Sequence, residues 1–366
     1  MTIRRSRTLT AACLLTVAAA LTASGCAKQE STNNSASNSS AGAQVVASPS
    51  AAAGGDAAAG GGCNLQAYGA AKLDLKDAVV GFSQSEKEAN PFRIAETQSI
   101  KDEAAKLGVK KLLTTNAQSQ LPKQISDIQD MLNQGAQLLI IAPLNSDGLE
   151  PALQAAAAKH VPVITIDRKL NATACKDYLT FIGSNFVEQG KRAADSLVKA
   201  TGGTGKVAVL LGTSGNGVTT DRTKGFVDQI AATAPGLQIV AQQTGEFARD
   251  KGQQVTEQLL QSHPDITAIY AENDEMGLGA VTAIKGAGKK PGTDIKIVSV
   301  DGTRNAVEAL AGGEYNGVIE SNPRFGPLAF ATAQKFFDGT GIADNVIITD
   351  RAYDPDNAKS SLDGAY

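Results

Sequence analysis

The feature that most constrains the fold of this chain is a repeated alternation, from residue 77 onward, of short β-branched runs with helix-length, Ala-rich segments. Such alternation predicts βαβ units, in which parallel strands form a sheet and helices cover both of its faces. The predicted strands lie at 78–83, 111–115, 138–142, 161–166, 206–211, 237–241, 266–271 and 295–300. The rhythm restarts near residues 181–184, so we expect an α/β protein with two doubly wound parallel-sheet lobes.

Length and composition support binding rather than catalysis. The 366 residues exceed one compact domain, and a chain that is 42% hydrophobic but only 4% aromatic has the aliphatic character of buried parallel strands. His160 and His263 are its only histidines, so we expect neither a multi-histidine metal centre nor a histidine acid–base relay. GxSxG, HExxH and CxxC motifs are missing from the sequence, and we predict a protein that is not an enzyme and needs no cofactor.

The amino terminus has the pattern of a secretory signal. Arg4, Arg5 and Arg7 precede an uncharged apolar run at 9–23, and small residues stand directly before Cys26. We predict a signal peptide over residues 1–25 and lipidation of Cys26, because the sequence ASGC at 23–26 resembles a bacterial lipobox. Ordinary secretion, with Cys26 incidental, is the alternative.

Residues 26–62 consist mostly of Ser, Ala, Asn and Gly, and such a segment buries too little apolar surface to fold alone. We predict a flexible tether between a lipid anchor and the lobes. Removing residues 1–25 changes the formal charge from −3 to −6, since only three arginines are lost, and this acidity argues against nucleic acid as a partner. In an oxidising compartment the remaining Cys63 and Cys175 should form a disulfide; two free thiols are the alternative.

Ligands of doubly wound sheets bind beyond the carboxyl ends of the strands, so the residues that follow each predicted strand are the candidate site. Bidentate planar groups predominate there, and these suit the vicinal hydroxyls of a sugar. Phe92 and Phe247 are aromatic residues at the same edge and could pack on sugar C–H groups. The polar candidates are Ser83, Asn90, Arg93, Asp167, Arg168, Arg222, Asn273 and Asp301.

Each of these polar residues has a plainer interpretation. Asp or Asn after a strand is often only the N-cap of the next helix, and Arg222 could be a solvated charge. The glycine-rich turn at 212–217 lacks the Lys-Ser/Thr of a phosphate loop, so we interpret it as a tight turn that lets backbone approach a ligand. The sugar hypothesis therefore rests on both predicted lobes presenting the same chemistry at one edge.

The chain resembles the ribose-type substrate-binding proteins of ABC sugar importers, and within them the galactofuranose-binding members. The resemblance covers residues 77–355, although Phe92 stands where the galactofuranose-binding members carry Trp. The motifs that carry it, in chain order, are VGFSQ at 80–84, ET at 96–97, IAP at 141–143, DR at 167–168, DRTKGF at 221–226, GEF at 245–247, NDEM at 273–276 and VDG at 300–302.

The resemblance implies a type I periplasmic binding protein fold whose chain crosses between lobes three times. We place these crossings near Ile182, Ser321 and Asn345, which assigns residues 77–182 plus 322–345 to the first lobe and 183–321 plus 346–366 to the second. It also implies that the candidate residues above bind sugar hydroxyls from the two lobes, with Phe92 and Phe247 covering the ring. Glu320 and Ser321 are further candidates at the second crossing.

The resemblance further implies a binding protein that closes on a monosaccharide and delivers it to an ABC permease. We expect an aldose, and among aldoses a furanose such as galactofuranose. Its place would be outside the cytoplasm, lipid-anchored at the outer face of the cell membrane, and we expect a monomer. A sensor that presents its closed form to a membrane receptor or kinase is the alternative.

Overall fold

The structure is a computed structural model that describes residues 43–47 and 62–366. The predicted signal peptide at 1–25, the lipidation candidate Cys26 and the rest of the predicted tether, except residues 43–47 and Gly62, lie outside these described residues. Within the described ranges, no helix is long and apolar enough to cross a bilayer.

Strands and helices alternate through the chain, as the sequence pattern predicts. The strands are β1 (Ala43–Ala47), β2 (Val79–Gln84), β3 (Lys111–Asn116), β4 (Leu138–Ile141), β5 (Val163–Ile166), β6 (Thr180–Ser184), β7 (Thr204–Leu211), β8 (Gly236–Thr244), β9 (Ala268–Ala271), β10 (Lys296–Asp301), β11 (Gly317–Glu320), β12 (Asn345–Thr349) and β13 (Ala352–Tyr353). The helices are α1 (Leu65–Tyr68), α2 (Pro91–Leu107), α3 (Leu121–Asn133), α4 (Glu150–Ala158), α5 (Phe186–Thr201), α6 (Gly217–Thr233), α7 (Arg249–Ser262), α8 (Asp274–Gly286), α9 (Arg304–Ala311) and α10 (Gly326–Phe337). Short 3₁₀ helices lie at Leu75–Asp77 and Lys359–Gly364.

These strands form two sheets, one for each lobe. The first has the order β1-β12-β6-β5-β4-β2-β3 and is parallel throughout. The second has the order β13-β11-β10-β9-β7-β8, and only the pairing of β13 with β11 is antiparallel. Two doubly wound α/β lobes are therefore confirmed.

Helices cover both faces of each sheet, which explains the near-continuous apolar strands. In β7, Val207 and Val209 pack in one cluster with residues of α5 and α6, such as Leu197 and Phe226. Ala208 and Leu210, which alternate with them, belong to the cluster formed with α7, α8 and α9. Period-two alternation thus sends successive side chains of one strand into two different cores.

Two of the three crossings come later in the chain than we expected. Strand β6 continues to Ser184 before α5 packs on the second sheet, and β12 pairs in the first sheet with β6 up to Ile348 and with β1 up to Thr349. Residues 183–184 and 346–349 therefore belong to the first lobe, not to the second. Val346 and Ile348 explain the difference for β12, because both side chains are buried in the first lobe's core. The crossing at Ser321 lies between β11 and α10, where we placed it.

One part of the predicted tether is structured. Ala43–Ala47 pairs in parallel with Asn345–Thr349 and forms the edge strand β1 of the first sheet. Val45 and Val46 are the only large aliphatic residues of the segment from 26 to 62, and Val46 is buried in the first lobe's core. The prediction of an unbroken flexible segment is wrong at these five residues, because pairing with Asn345–Thr349 and burial of the Val46 side chain hold them in the sheet.

Side chains tie the three crossings together. Asp350, at the third crossing, accepts hydrogen bonds from Ser184 Oγ at 3.0 Å and from Gln189 Nε2 at 2.8 Å. Gln189 Nε2 also donates to the carbonyl of Glu320, at the second crossing. Burial raises the pKa of Asp350 to about 7, against the opposing effect of the hydrogen bond from Gln189. The hinge is therefore a buried polar network and not three independent strands.

Candidate ligand-binding cleft

The cleft lies between the lobes, at the carboxyl ends of strands from both sheets. Its free space is about 30 Å³, room for about two water molecules, so the lobes are closed on each other. A groove of about 850 Å³ adjoins it at Glu86, Asn90 and Phe247. The residues that line the inner cleft are Glu86, Asn90, Phe92, Arg93, Asp167, Arg168, Val218, Arg222, Phe247, Asn273 and Asp301.

The start of α2 brings three predicted residues into the cleft. Asn90 is the N-cap of this helix, and its Oδ1 accepts from the backbone N–H of Arg93 at 2.9 Å. Pro91 fills the first helical turn, where a missing N–H costs nothing. Phe92 is then held by edge contacts with Phe325 and with Tyr366, at ring-centroid distances of 6.4 and 6.1 Å. The capping interpretation and the binding interpretation of Asn90 are thus compatible.

Arg93 and Asp167 form the charged centre of the first lobe. Arg93 Nη1 lies 2.7 Å from Asp167 Oδ2 and 2.7 Å from Glu96 Oε2. Glu96 is fully buried, and burial raises its pKa to about 7 in spite of the neighbouring guanidinium. Two carboxyl groups that line the cleft, Asp167 and Glu86, therefore share the Arg93 guanidinium with the buried Glu96.

Arg168 is anchored by the loop after β4. Its Nη1 donates to the carbonyls of Leu144 at 3.1 Å and Pro143 at 3.3 Å. Its Nε is buried and has no hydrogen-bond partner among the described residues, with Asp167 Oδ2 3.5 Å away. An unsatisfied buried donor is costly, and one that belongs to a cleft-lining side chain is available to a ligand oxygen.

The second lobe repeats this chemistry with Arg222 and Asp301, which lie 3.6 Å apart between Nη2 and Oδ1. Arg222 is fixed by donating from Nε to Gln189 Oε1 at 2.8 Å and from Nη1 to the carbonyl of Glu272. Burial raises the pKa of Asp301 well above its usual range, against the effect of Arg222. Gln189 therefore connects a cleft arginine directly to the Asp350 hinge network.

Phe247 and Asn273 complete the second lobe's wall. Asn273 caps α8 through Oδ1 and donates from Nδ2 to the carbonyl of Phe247 at 3.0 Å, which fixes the aromatic residue's backbone. The ring of Phe247 lies over Gly212, where a Cβ would approach ring atoms to 2.0 Å. The tight turn at 212–217 thus makes room for an aromatic side chain of the cleft, which is its packing role in this structure.

Asp167 directly follows β5 and Asp301 is the last residue of β10, and both have positive φ angles, 63° and 143°. This backbone region is strained for non-glycine residues and is found most often at functional sites. In the second lobe, Asp274 supports the conformation by accepting from the backbone N–H groups of Gly302 and Thr303 at 2.9 and 2.7 Å. The two carboxylates are therefore turned into the cleft by backbone geometry that the surrounding structure enforces.

Nine of the twelve predicted binding residues line the cleft, and three do not. Ser83 is buried, and its Oγ accepts from Gln124 Nε2 at 3.3 Å. Glu320 is occupied by Arg351, whose Nε and Nη2 lie 3.0 and 2.6 Å from its Oε1. Ser321 contributes a backbone carbonyl to Tyr366 Oη at 3.1 Å. These three side chains lie outside the cleft lining, and their contact with a sugar stays a prediction.

Sequence reasoning missed Glu86 and Val218 among the lining residues. Glu86 lies in the loop between β2 and α2, two residues after the strand's last residue, so the search for polar residues beyond strand ends could have found it. Val218 is the second residue of α6 and gives no such signal, because an apolar residue there is indistinguishable from a core residue. In the part of the chain that the structure describes, no group of three His, Cys, Asp or Glu side chains could hold a metal ion.

Comparison with known proteins agrees with this architecture. A model of the periplasmic binding protein domain matches residues 80–340, which is most of the chain. This chain belongs to the periplasmic binding protein family. Its members matched here are binding proteins rather than enzymes.

One relative and two solved structures show how similar this chain is to known sugar-binding proteins. The galactofuranose-binding protein of Escherichia coli is 36% identical over 289 residues, which cover 78% of this chain and 90% of that protein. A Mycobacterium smegmatis protein solved in complex with β-D-fucofuranose is 40% identical, with a TM-score of 0.74 over 78% of this chain and 94% of that chain. The binding protein of the arabinose ABC transporter of Shewanella sp. ANA-3, solved with α- and β-L-arabinofuranose, is 36% identical with the same TM-score and coverages.

Proposed function

We propose that this periplasmic binding protein captures a monosaccharide in the interlobe cleft, an aldose in its furanose form, and delivers it to an ABC permease. The observation that carries this proposal is a pair of matched Arg–Asp couples, one from each lobe, that line one cleft together with two phenyl rings. Hydroxyl groups both donate and accept, and each couple offers a donor beside an acceptor. Galactofuranose, fucofuranose and arabinofuranose are named for the relatives, which favours a furanose here.

Binding would be coupled to closure of the two lobes. The cleft is too small in the closed arrangement for a monosaccharide to enter, so the lobes must separate at the hinge and close again on the ligand. Because residues of both lobes contact the same ligand, the ligand stabilises the closed state by its differential affinity for it. That closed state is the form that a permease would recognise. Two relatives are named as import binding proteins, for ribose and for fructose, which favours transport over sensing.

The test is a thermal-shift screen of the mature protein with D-galactose, L-arabinose, D-fucose, D-ribose and myo-inositol. A ligand that binds only the folded protein raises the free energy of unfolding by mass action, and the melting temperature rises with it. At a ligand concentration of one hundred times Kd, the gain in free energy is about 2.7 kcal/mol. We expect at least one of the four aldoses to give such a shift, and the same sugar to be recovered unchanged after long incubation. Absence of any shift and of any calorimetric heat across the aldoses would rule out the proposal.

We further propose that the protein is an extracytoplasmic, monomeric lipoprotein anchored through Cys26, with the Cys63–Cys175 disulfide formed after export and no nucleic acid as a partner. The signal pattern before Cys26 supports the anchor, and the 5.2 Å between the Cα atoms of Cys63 and Cys175 supports the disulfide. Expression of the full chain in a bacterial host should place it in the membrane fraction, and Cys26→Ser should release it to the soluble extracytoplasmic fraction. Equal membrane retention of both forms would argue against lipidation of Cys26.

A further inference from the structure

Glu86 connects two arginines that approach the cleft from different parts of the first lobe. Its Oε2 lies 3.1 Å from Arg93 Nε, and its Oε1 lies 2.6 Å from Arg168 Nη2. The side chain of Glu86 is 15% exposed, and it lines both the inner cleft and the adjoining groove. Glu86 therefore lies where the groove meets the inner cleft, beside both guanidinium groups.

Equal numbers of basic and acidic side chains line the inner cleft. Three are arginines and three are acids: Arg93, Arg168, Arg222, Glu86, Asp167 and Asp301. Asp167 is paired with Arg93 and Asp301 with Arg222, which leaves Glu86 as the carboxylate at 2.6 Å from the third guanidinium. Without Glu86, three arginines would face two carboxyl groups, of which the buried Asp301 resists ionisation, and Arg168 would present two unsatisfied sets of N–H donors to a ligand.

We propose that Glu86 sets the charge selectivity of the cleft, so that neutral sugars are accepted and sugars that carry a carboxylate, such as uronic acids, are rejected. This inference rests on the proposed function and names the substrate class of the same site. A uronate that reached Arg93 or Arg168 would have to displace a carboxylate that is part of the chain. Such an internal competitor acts at an effective concentration of about millimolar or higher, well above that of a scarce external solute.

Electrostatics favour the same conclusion. Burial opposes ionisation of Glu86, but Arg168 and Arg93 outweigh it and lower the pKa of this carboxyl to about 2, so Glu86 is negatively charged at every physiological pH. A second carboxylate placed beside it in a water-excluded cleft meets like-charge repulsion. A neutral hydroxyl meets no such repulsion and can donate to Glu86 while it accepts from an arginine.

The experiment measures the ratio of two dissociation constants by calorimetry, that of a uronate over that of the neutral sugar with the same ring configuration. The pairs are D-galacturonate with D-galactose and with L-arabinose, and D-glucuronate with D-glucose and with D-xylose. In the wild type, we expect a ratio of about 100 or more, as like-charge juxtaposition costs on this scale. Glu86→Gln should lower the ratio about tenfold or more, mainly through tighter binding of the uronate. Glu88→Gln is the matched control, because Glu88 is an exposed acid of the same loop outside the cleft, and its ratio should equal that of the wild type.

A wild type that binds uronates as tightly as neutral sugars overturns the inference. So does a folded Glu86→Gln protein whose ratio is unchanged, or one that loses both ligands equally, while the proposed function stands in each of these cases. If Glu86→Gln does not fold, Glu86→Ala is measured by the same ratio and decides the question. If the wild type binds none of the neutral sugars, the proposed function fails and the inference fails with it.

Discussion

Asp301→Ala should abolish the sugar-induced rise in melting temperature. Asp301 is 5% exposed, and its carboxylate is the partner of Arg222 at the cleft. Truncation removes a hydrogen-bond partner of a sugar hydroxyl and also leaves the buried charge of Arg222 without its carboxyl partner, which together cost about 3 kcal/mol or more. We therefore expect sugar affinity to fall about 100-fold or more, measured by calorimetry and by thermal shift at a concentration that saturates the wild type.

The control for this variant is Glu308→Ala, which removes an exposed acid on α9 of the same lobe. Its sugar-induced shift should match that of the wild type. Circular dichroism of unliganded Asp301→Ala must show an intact fold, so that the lost shift reports on binding. A folded Asp301→Ala protein with near-wild-type affinity would show that Asp301 does not contact the ligand.

Replacing both disulfide cysteines, as Cys63→Ser with Cys175→Ser, should cause the largest loss of stability. The bridge closes a chain segment of 112 residues, and constraining a loop of this length stabilises the folded state by about 4–5 kcal/mol in the chain-entropy model. Cys63 is also fully buried in the first lobe's core, and its backbone bridges to Ile342. The free energy of unfolding, from urea denaturation, should fall by about 2–5 kcal/mol.

Reduction of the wild type under native conditions supplies the matched comparison, because it opens the same loop without changing the sequence. Its midpoint of unfolding should move to that of the double variant. The ligand affinity of the double variant should change less than its stability, since Arg93 and the loop after β4 hold Asp167 and Arg168. Two thiols that react with an alkylating agent in the unreduced, exported protein would contradict the disulfide.

The strand ends were readable from sequence because the pattern behind them is local. Apolar runs with period two and helix-length spacers mark where each strand stops, and parallel sheets then place those ends at one edge. Asn90 and Asn273 were found in this way, although each is also a helix cap. A helix cap that follows a strand lies at the ligand-binding edge of the sheet. Asn90 and Asn273 can therefore cap a helix and line the cleft at the same time.

Glu320 and Glu86 show that local sequence patterns do not predict which arginine a carboxylate will pair with. Both are acids near the carboxyl end of a strand, yet Glu320 turns to Arg351 at the hinge and Glu86 turns to two cleft arginines. Arg351 is 31 residues from Glu320 along the chain, and Arg168 is 82 residues from Glu86. No local pattern encodes which guanidinium each carboxylate will meet, because that depends on the paths of loops from separate elements.

The third crossing was misplaced for a related reason. Residues 345–349 have the apolar alternation of a strand, but the same alternation suits an edge of either sheet. Pairing with β6 and with β1 places them in the first lobe, and both contacts are long-range.

The sequence by itself determined the α/β rhythm, the two sheets and the chemistry of the ligand edge, since these follow from local periodicity and from the rules of parallel sheets. Only the tertiary structure decided where the chain crosses between the lobes. It also decided that residues 43–47 of the tether form an edge strand, with Val46 buried, and that Glu86 forms an ion pair with Arg168. Side-chain pairing between distant elements has no sequence period, so it becomes visible only once the backbone has brought those elements together.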